Sequence, residues 1–258
     1  MISKNTFDKI FEKAKGCKYS SMNYISFDDC ENAEILHDCD DLILIQDKSK
    51  TPAMLYFATN DFEALVKIIA NIPGKLRLHF VPREFAPQLG EIGFIEWAEF
   101  VDFWNKDIAK TASCIDSKKE AEYADKDECE AIAAVSKRCE LQSRGFEGVS
   151  PEYVSEWLDD GKVIVFRKSS QIVGFCSVSV YNEGTATLWI RSLAVDPAYQ
   201  GQGIGRNLVE QAIKYGVQNG AIKGFLAADL LNDNAIGLYN KFGLHAKVSE
   251  SELQMVKE

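Results

Sequence analysis

The sequence predicts a mixed α/β fold in which a largely antiparallel sheet is flanked by helices. Three apolar segments between residues 162 and 195 are joined by short polar turns, which is the spacing of a strand meander. The segment 204–218 then has helical periodicity, and another apolar strand follows it at 223–229. Consecutive strands joined by short turns pair antiparallel, and the helices cover the faces of the sheet that they form.

The first half of the chain alternates between helical and strand patterns in a similar order. A turn or a capping residue separates each predicted element from the next. The predicted elements are a helix over 7–14, strands over 42–46 and 52–58, a helix that begins after Asn60 or Asp61 and ends before Pro73 and Gly74, a strand over 76–81, and an aromatic-rich segment up to Trp104.

A change of composition divides the chain. Residues 105–119 are polar and contain no aromatic side chain, so we predict one domain over 1–110 and a second over 111–258. The elements predicted beyond this stretch are helices over 126–142 and 151–160, the strand meander over 162–195, a helix over 204–218, a strand over 223–229, a helix over 234–242 and a closing strand over 253–257.

The composition is that of a soluble globular protein, with 46% hydrophobic and 26% charged residues. A formal net charge of −10 argues against nucleic acid as a partner, because binding to phosphates needs a basic surface. The first residues lack the apolar centre of a signal peptide, and no apolar run is long enough to cross a membrane. The seven cysteines include no CxxC pair and are most simply reduced thiols. We therefore expect a cytoplasmic protein that binds neither nucleic acid nor a membrane.

The sequence QGQGIG, at 200–205, joins the last strand of the meander to the helix over 204–218. The first backbone N–H groups of a helix have no intrahelical partner and lie at the positive end of its dipole, which suits an anion such as a pyrophosphate. Glycines let such a ligand approach the backbone closely. The loop alone fits a tight turn as well.

Three other site types do not fit the sequence. The dinucleotide motif G-x-G-x-x-G would need a third glycine where Arg206 or Leu208 stands, and the Walker motif fails because no Gly-Lys-Ser/Thr occurs. His37 and Cys39, with Cys30 nearby, match no tetrahedral zinc spacing. We therefore expect no metal.

The residues around the loop resemble the Gcn5-related N-acetyltransferase (GNAT) superfamily. The family motif Q/R-x-x-G-x-G/A is met at 200–205, and the strand ending in LAV before a proline is met at 193–197. The later motif N-x-x-A-x-x-L-Y-x-K-x-G-F is met at 232–244, with leucine in place of the final phenylalanine. The resemblance covers roughly 118–257 and implies the GNAT fold for the second domain.

The resemblance also implies acetyl-CoA as co-substrate. In the family, the backbone of the LAV strand pairs with the pantetheine arm, and the amides of the glycine loop hold the pyrophosphate. The residues implied to bind acetyl-CoA are Leu193, Ala194, Val195, Gln200, Gly201, Gln202, Gly203, Ile204, Gly205, Arg206 and Asn232. Asn232 is equally expected as the cap of the helix that it precedes.

Two residues are implied to act in the reaction. The backbone amide of Val195 would stabilise the negative charge on the thioester oxygen, and Tyr239 would protonate the leaving thiolate. Tyr239 could instead be a core tyrosine of an amphipathic helix.

The general base is not identified by the sequence. Family members often carry a carboxylate on the strand before LAV, but Arg191 stands in that region, as a surface or paired charge. Glu183, His245 and a water-mediated base remain open. Cys176 is expected to be a buried thiol and not an acyl carrier, because direct attack on acetyl-CoA needs none.

The two halves of the chain also resemble each other. FAPQLGEIGF aligns with NAIGLYNKFGL so that Gly93 matches Gly243 and Leu89 matches Tyr239. This alignment predicts a tandem of GNAT-like domains with a degenerate first copy, in which ATND replaces the glycine loop. Chance recurrence of the same order of strands and helices is the alternative.

The resemblance implies an N-acetyltransferase that acts on a primary amine of a small molecule or peptide by direct attack in a ternary complex. The alternative is a non-catalytic acyl-CoA-binding or regulatory module, which the missing carboxylate keeps open. A homodimer is compatible with either interpretation.

Overall fold

The computed structural model describes residues 1–258 except 24, 26, 28, 117–119, 141, 147 and 249–250. The chain divides into two compact units: Met1–Phe100 with Glu250–Glu258, and Val101–Ser249. No helix in the described part of the chain is long and apolar enough to cross a membrane.

The first unit contains the elements of the N-terminal part of the chain together with the last strand. The elements, numbered in chain order, are α1 (Lys4–Ala14), β1 (Tyr19–Ser20), β2 (Glu34–Asp38), β3 (Leu42–Asp47), β4 (Ala53–Thr59), α2 (Phe62–Ile69), β5 (Leu76–Pro82), α3 (Ala86–Glu91), β6 (Phe94–Asn105), which continues into the second unit, and β13 (Glu252–Lys257).

The strand β3 of the first unit lies inside the sheet and is buried on both faces. β3 pairs antiparallel with β2 and with β4. Leu42 and Leu44 pack in the same core as α2, whereas Ile43 and Ile45 pack in the same core as α1. Because neighbouring side chains on a strand point to opposite faces, a continuous apolar run fills two cores at once.

The C-terminal strand completes the first unit. β13 pairs antiparallel with β5 on one side and with β6 on the other, and its Leu253 and Met255 are buried in the core that contains α2. The two compact units meet in the chain between Phe100 and Val101. Composition instead places the domain boundary between residues 110 and 111. Pairing between distant segments leaves no mark on the composition of the sequence, so composition could not reveal that β13 belongs to the first unit. What each domain does stays a prediction.

The second unit contains the strand meander and the helices around it. Its elements are α4 (Ile108–Ser113), β7 (Glu122–Tyr123), α5 (Cys129–Arg138), α6 (Pro151–Asp160), β8 (Lys162–Lys168), β9 (Gln171–Asn182), β10 (Ala186–Val195), α7 (Ile204–Gln218), β11 (Lys223–Asp229), α8 (Asp233–Asn240) and β12 (His245–Ala246).

Most of the described strand pairs in the sheet of the second unit are antiparallel. β7, β8, β9 and β10 form antiparallel ladders with their neighbours, and β10 runs parallel to β11 through the crossover helix α7. The apolar side of α7, with Leu208 and Ala212, packs on one face of the sheet. Trp157 of α6 packs in a second core with Phe175 of β9. The predicted mixed α/β class with a largely antiparallel sheet and flanking helices is confirmed.

Short elements with little buried surface were not predicted from the sequence. β2 is exposed along its whole length, so its strand character rests on pairing with β3. α4 lies in the polar stretch 105–119 and buries only Ile108 among its residues. Asp107 caps α4 by accepting a hydrogen bond from the Lys110 N–H at 3.0 Å. A single buried side chain leaves no periodic pattern for a sequence to reveal.

The two units share one order of elements. In the first, β4 and β5 run parallel on either side of α2, and in the second, β10 and β11 run parallel on either side of α7. A further helix follows in each unit, and after it the aligned Gly93 and Gly243 both have positive φ, of 93° and 67°. The predicted repeat is compatible with this order.

The end of α6 gives a test of packing in the second unit. Gly161 follows α6, and a Cβ atom there would collide with the backbone carbonyl of Val178. We expect Gly161→Ala to lower the free energy of unfolding by about 1–3 kcal/mol. Gly90→Ala is the control, because Gly90 lies in α3 with no described atom within 4 Å of an added Cβ. This control should be neutral or stabilising by up to about 1 kcal/mol. Urea unfolding measures both, and equal midpoints would contradict the close approach at Gly161.

Candidate functional site

The site lies where β10 and β11 separate. Their parallel ladder joins Thr187–Trp189 to Lys223–Phe225. Directly beyond it β10 has a bulge, because Ile190 pairs with Val178 and Ser192 with Ser177, which leaves Arg191 as the extra residue. A bulge bends and twists a strand. The segment 193–195 therefore follows β9 while its other edge opens.

The register of β10 on β9 fixes the direction of the backbone groups along this edge. The Asp196 N–H donates to the Val173 carbonyl at 2.9 Å, so these two residues form a hydrogen-bonded pair. Such pairs alternate with non-bonded ones in an antiparallel ladder. Val195, opposite Gly174, therefore belongs to a non-bonded pair, and its N–H points away from β9. The Leu193 N–H, two residues earlier, has the same direction.

The carbonyl of Val195 is held by two side chains on the same side. It accepts a hydrogen bond from Gln200 Nε2 at 3.0 Å and one from Cys139 Sγ at 3.3 Å. Burial raises the pKa of the Cys139 thiol to about 11, so the thiol keeps its proton and donates. These contacts fix the end of β10 against the loop that follows and against the end of α5.

The glycine loop presents the uncapped start of α7 to this opening. Gly201 and Gly203 have φ values of 73° and 78°, in the left-handed region that favours glycine. Gly203 is the N-cap of α7 and supplies no side-chain hydrogen bond. The first helical bond runs from the Asn207 N–H to the Gly203 carbonyl at 3.0 Å. The amides of residues 204–206 therefore lack intrahelical acceptors at the positive end of the helix dipole.

The opposite side of the opening is formed by α8. Asn232 caps this helix, with its Oδ1 accepting from the Ala235 N–H at 3.2 Å. Tyr239, two turns later, is 7% exposed and packs edge-on against Phe103 at a ring distance of 5.7 Å. Burial raises the pKa of the Tyr239 hydroxyl well above its usual value, and the Cys176 thiol raises this pKa further. The hydroxyl is a proton donor at neutral pH.

These elements enclose a cavity of about 540 Å³. The structure brings most of the residues predicted for the site to its lining: Leu193, Ala194, Val195, Gln200, Gly201, Gly203, Ile204, Gly205, Arg206, Asn232 and Tyr239. Gln202 is not among the lining residues, and its Oε1 accepts from Lys168 Nζ at 2.7 Å. Arg206 lies at the cavity, and its Nε donates to Glu210 Oε1 at 3.0 Å.

The sequence prediction missed one wall of the cavity. Cys139, Gln142, Ser143 and Phe146, from the loop after α5, also line it. No spacing in the sequence connects this loop with residues some fifty positions later, because the contact is tertiary. Asn234, Ala235 and Leu238 line the cavity from α8, and helical spacing from Tyr239 could have indicated Ala235, which lies four residues before it.

The other residues considered in the sequence lie outside the cavity lining. Glu183 is exposed in the turn between β9 and β10. His245 is exposed on β12, with Nδ1 3.1 Å from Asn240 Oδ1. Arg191 lies over the Trp189 ring at 4.5 Å and is within 3.3 Å of Asp160 Oδ2. Cys176 is buried, and burial raises its pKa. None of these side chains is placed to act as a base in the cavity.

The described residues also offer no cluster of three or more His, Cys, Asp or Glu side chains that could hold a metal ion. Of the residues considered as zinc ligands in the sequence, Cys30 is buried and Cys39 is exposed. The Cys39 thiol donates a hydrogen bond to the Leu42 carbonyl at 3.4 Å.

The unit that holds the cavity matches a known protein family. The model of the acetyltransferase (GNAT) family matches residues 122–244. These residues form a GNAT acetyltransferase domain. The match contains the splayed strands, the glycine loop and α8, and it confirms the resemblance of these segments to the family.

Two curated relatives are similar to part of this chain. The mycothiol acetyltransferase of Corynebacterium efficiens is 29% identical over 87 residues, which are 34% of this chain and 29% of the relative. The putative [ribosomal protein bS18]-alanine N-acetyltransferase of Bacillus subtilis is 28% identical over 81 residues, 31% of this chain and 52% of the relative. The chain thus matches about a third and about half of the length of these relatives.

Solved structures of the GNAT family share the fold over longer stretches. A GNAT acetyltransferase from Colwellia psychrerythraea has a TM-score of 0.56 at 8% identity, covering 97% of this chain and 95% of that one. A GCN5-related N-acetyltransferase from Sphaerobacter thermophilus has a TM-score of 0.54 at 13% identity, covering 84% and 80%. The predicted GNAT fold is confirmed, and identities this low show the fold alone.

Proposed function

We propose that the GNAT domain transfers the acetyl group of acetyl-CoA to a primary amine of a small molecule or peptide by direct attack in a ternary complex. The observation that carries the proposal is the cavity, which combines an open strand edge, an uncapped helix start and a buried tyrosine hydroxyl. Its volume of about 540 Å³ is in the range of ligand-binding sites.

Each part of the cavity suits one part of acetyl-CoA. The outward N–H groups of Leu193 and Val195 can pair with the amides of the pantetheine arm, as an added strand would. The free amides of 204–206 suit the pyrophosphate, because anions bind at helix starts. Arg206 lies at the same place and adds a positive charge. The Gln202 side chain binds Lys168 and is not part of the cavity lining, so only the backbone of Gln202 belongs to the proposed loop.

The reaction needs charge stabilisation and a proton. When the amine attacks the thioester carbonyl, negative charge develops on the oxygen, and the Val195 N–H is directed into the opening where it can stabilise that charge. The C–S bond then breaks and the thiolate takes a proton from Tyr239, whose raised pKa keeps it protonated until that moment. The proton released from the amine leaves to solvent, and Tyr239 regains a proton from solvent before the next turnover.

The names of the two curated relatives support an acetyl transfer, and one of the names supports an amine acceptor. One relative is named a mycothiol acetyltransferase, and the other is named a putative [ribosomal protein bS18]-alanine N-acetyltransferase. Small-molecule and peptide amines are therefore the first acceptors to test. Seven free cysteines suit a reducing compartment, and the proposal places the protein in the cytoplasm.

The first unit has no comparable place for a phosphate at its crossover helix. Asp61 caps α2, with its Oδ1 accepting from the Ala64 N–H at 3.0 Å. A carboxylate thus occupies the helix start that Gly203 leaves open in the second unit. We propose that the chain is a tandem of GNAT-like units in which the first has lost the acetyl-CoA site.

The reaction should show little dependence on the ionisation of Tyr239. Because burial raises the pKa of this hydroxyl above its usual value of about 10, it stays protonated from about pH 6 to pH 9. The kcat should therefore show no alkaline decline from this group in that interval. The assignment would be contradicted if kcat of the wild type declined with a midpoint below about pH 9 and the residual kcat of Tyr239→Phe did not.

The proposal is tested by incubating the protein with acetyl-CoA and a panel of small-molecule and peptide amines while free thiol is followed. Amine-dependent thiol release with a matching acetylated product is the expected result. A thermal shift with acetyl-CoA but no amine-dependent thiol across the panel would favour the non-catalytic acyl-CoA-binding module. Failure to bind any CoA thioester would exclude both.

A further inference from the structure

An ion pair joins the two walls of the cavity, and its role would deepen the proposed function, on which it rests. Arg144 approaches Asp229 with two nitrogens: Nε lies 3.0 Å from Oδ2, and Nη2 contacts Oδ1. The Asp229 side chain is 2% exposed and the Arg144 side chain 36% exposed. A two-point contact between a guanidinium and a buried carboxylate fixes direction as well as distance.

Asp229 is part of the wall that carries the proposed acid. It is the last residue of β11, and its Oδ1 accepts from the Leu231 N–H at 3.1 Å. Its carbonyl accepts from the Asn232 N–H at 3.0 Å. The carboxylate and the carbonyl together shape the turn that leads into α8, and α8 carries Tyr239. A displacement of Asp229 would therefore move the start of α8.

Arg144 is part of the opposite wall. It lies in the loop after α5, between the cavity-lining residues Ser143 and Phe146. Arg138, at the end of α5, binds Asp196 beyond β10 with Nε 2.6 Å from Oδ2, so the start of this loop is also attached to the strand that carries Val195. The loop is thus fixed to β10 at one point and to the turn before α8 at another.

We propose that the Arg144–Asp229 pair is a positioning device that holds the loop after α5 and the start of α8 at the spacing that the acyl-pantetheine arm requires. Arg144 and Asp229 act through Phe146, Asn232 and Tyr239, and they take no part in the chemistry. Breaking the pair would widen the cleft, so acetyl-CoA would bind more weakly and the reacting groups would lose alignment. Misalignment of about 1 Å can cost about 100-fold in rate.

A second pair in the same unit provides a matched control. Arg167 binds Glu128 with two nitrogens, at 2.7 and 2.9 Å, and neither residue lines the cavity. Arg167→Met should therefore lower the melting temperature without changing the affinity for acetyl-CoA. A purely structural role of Arg144 predicts the same behaviour for Arg144→Met.

The test compares the full chain with Arg144→Met, Arg144→Lys, Asp229→Asn and the control Arg167→Met. Melting temperature, the Kd of acetyl-CoA by calorimetry, and KM and kcat with the best amine are measured for each. We expect Arg144→Met to raise Kd and KM for acetyl-CoA and to lower kcat/KM by about 10- to 100-fold. Arg144→Lys, which keeps the charge but not the fork, should be intermediate.

Asp229→Asn isolates the charge of the pair, because an amide oxygen can still accept from the Leu231 N–H. If Arg144 and Asp229 act together, the double variant Arg144→Met/Asp229→Asn should be no worse than the more impaired single one. Should Arg144→Met not fold, Arg144→Lys and Asp229→Asn carry the test.

The proposal would be overturned if every Arg144 and Asp229 variant that folds had a lower melting temperature but unchanged Kd and kcat/KM. That result would leave the proposed function intact, because the wild type would still bind acetyl-CoA and release thiol. Absence of acetyl-CoA binding by the wild type would instead reject the function and this inference together.

Discussion

Tyr239→Phe should lower kcat by about 10²- to 10⁴-fold while leaving the Kd of acetyl-CoA almost unchanged. The substitution removes one oxygen atom from a side chain that packs against Phe103. Packing and shape are kept, but the thiolate loses its proton donor. Pre-steady-state and steady-state thiol release with a fixed amine measure kcat, and calorimetry measures binding.

Tyr215→Phe is the matched control for this variant. Tyr215 is a partly buried helical tyrosine of the same unit, on α7, and burial raises its pKa as well. It does not line the cavity, so its loss should leave kcat unchanged. If Tyr239→Phe retained the wild-type kcat as Tyr215→Phe does, Tyr239 would be a core residue and not the acid.

Gly203→Asp should weaken the binding of acetyl-CoA by about tenfold or more relative to Gly203→Asn. Asn and Asp both tolerate the left-handed backbone that φ of 78° imposes, so the two variants share the strain and differ in charge. The carboxylate would occupy the helix start as Asp61 does in the first unit, and it would repel the pyrophosphate. The Kd of acetyl-CoA measures the difference.

A control for the strain is Gly184→Asp. Gly184 has a similar φ of 80°, lies in the turn between β9 and β10, and has open space around an added Cβ. This variant should bind acetyl-CoA as the wild type does. Equal affinities of Gly203→Asp and Gly203→Asn would show that no anion lies at the start of α7.

The parts of the fold that were predicted from the sequence are those with a strong local signal. The bounds of α7 and β11 agree with the prediction because each has a regular apolar pattern between glycine or polar boundaries. Gly201 and Gly203 were singled out by the spacing of glycines between a strand and a helix, and their positive φ values explain why glycine stands there.

The parts that were not predicted depend on contacts between distant segments. Arg144 and Asp229 are 85 positions apart, so no pattern within a window of sequence could pair them. The place of β13 between β5 and β6 is likewise a tertiary outcome. The bulge at Arg191, which separates β10 from β11, looks like ordinary strand sequence until its pairing with β9 is known.

The central claim is that the second unit, and not the first, holds acetyl-CoA through the start of α7. Calorimetric titration of the full chain with acetyl-CoA tests it most directly. The account predicts one acetyl-CoA per chain, with binding weakened in Gly203→Asp and kept in Gly184→Asp. The claim would be contradicted if the chain bound no acetyl-CoA or bound two molecules. It would also be contradicted if the chain bound one molecule with the same affinity in the wild type and in Gly203→Asp.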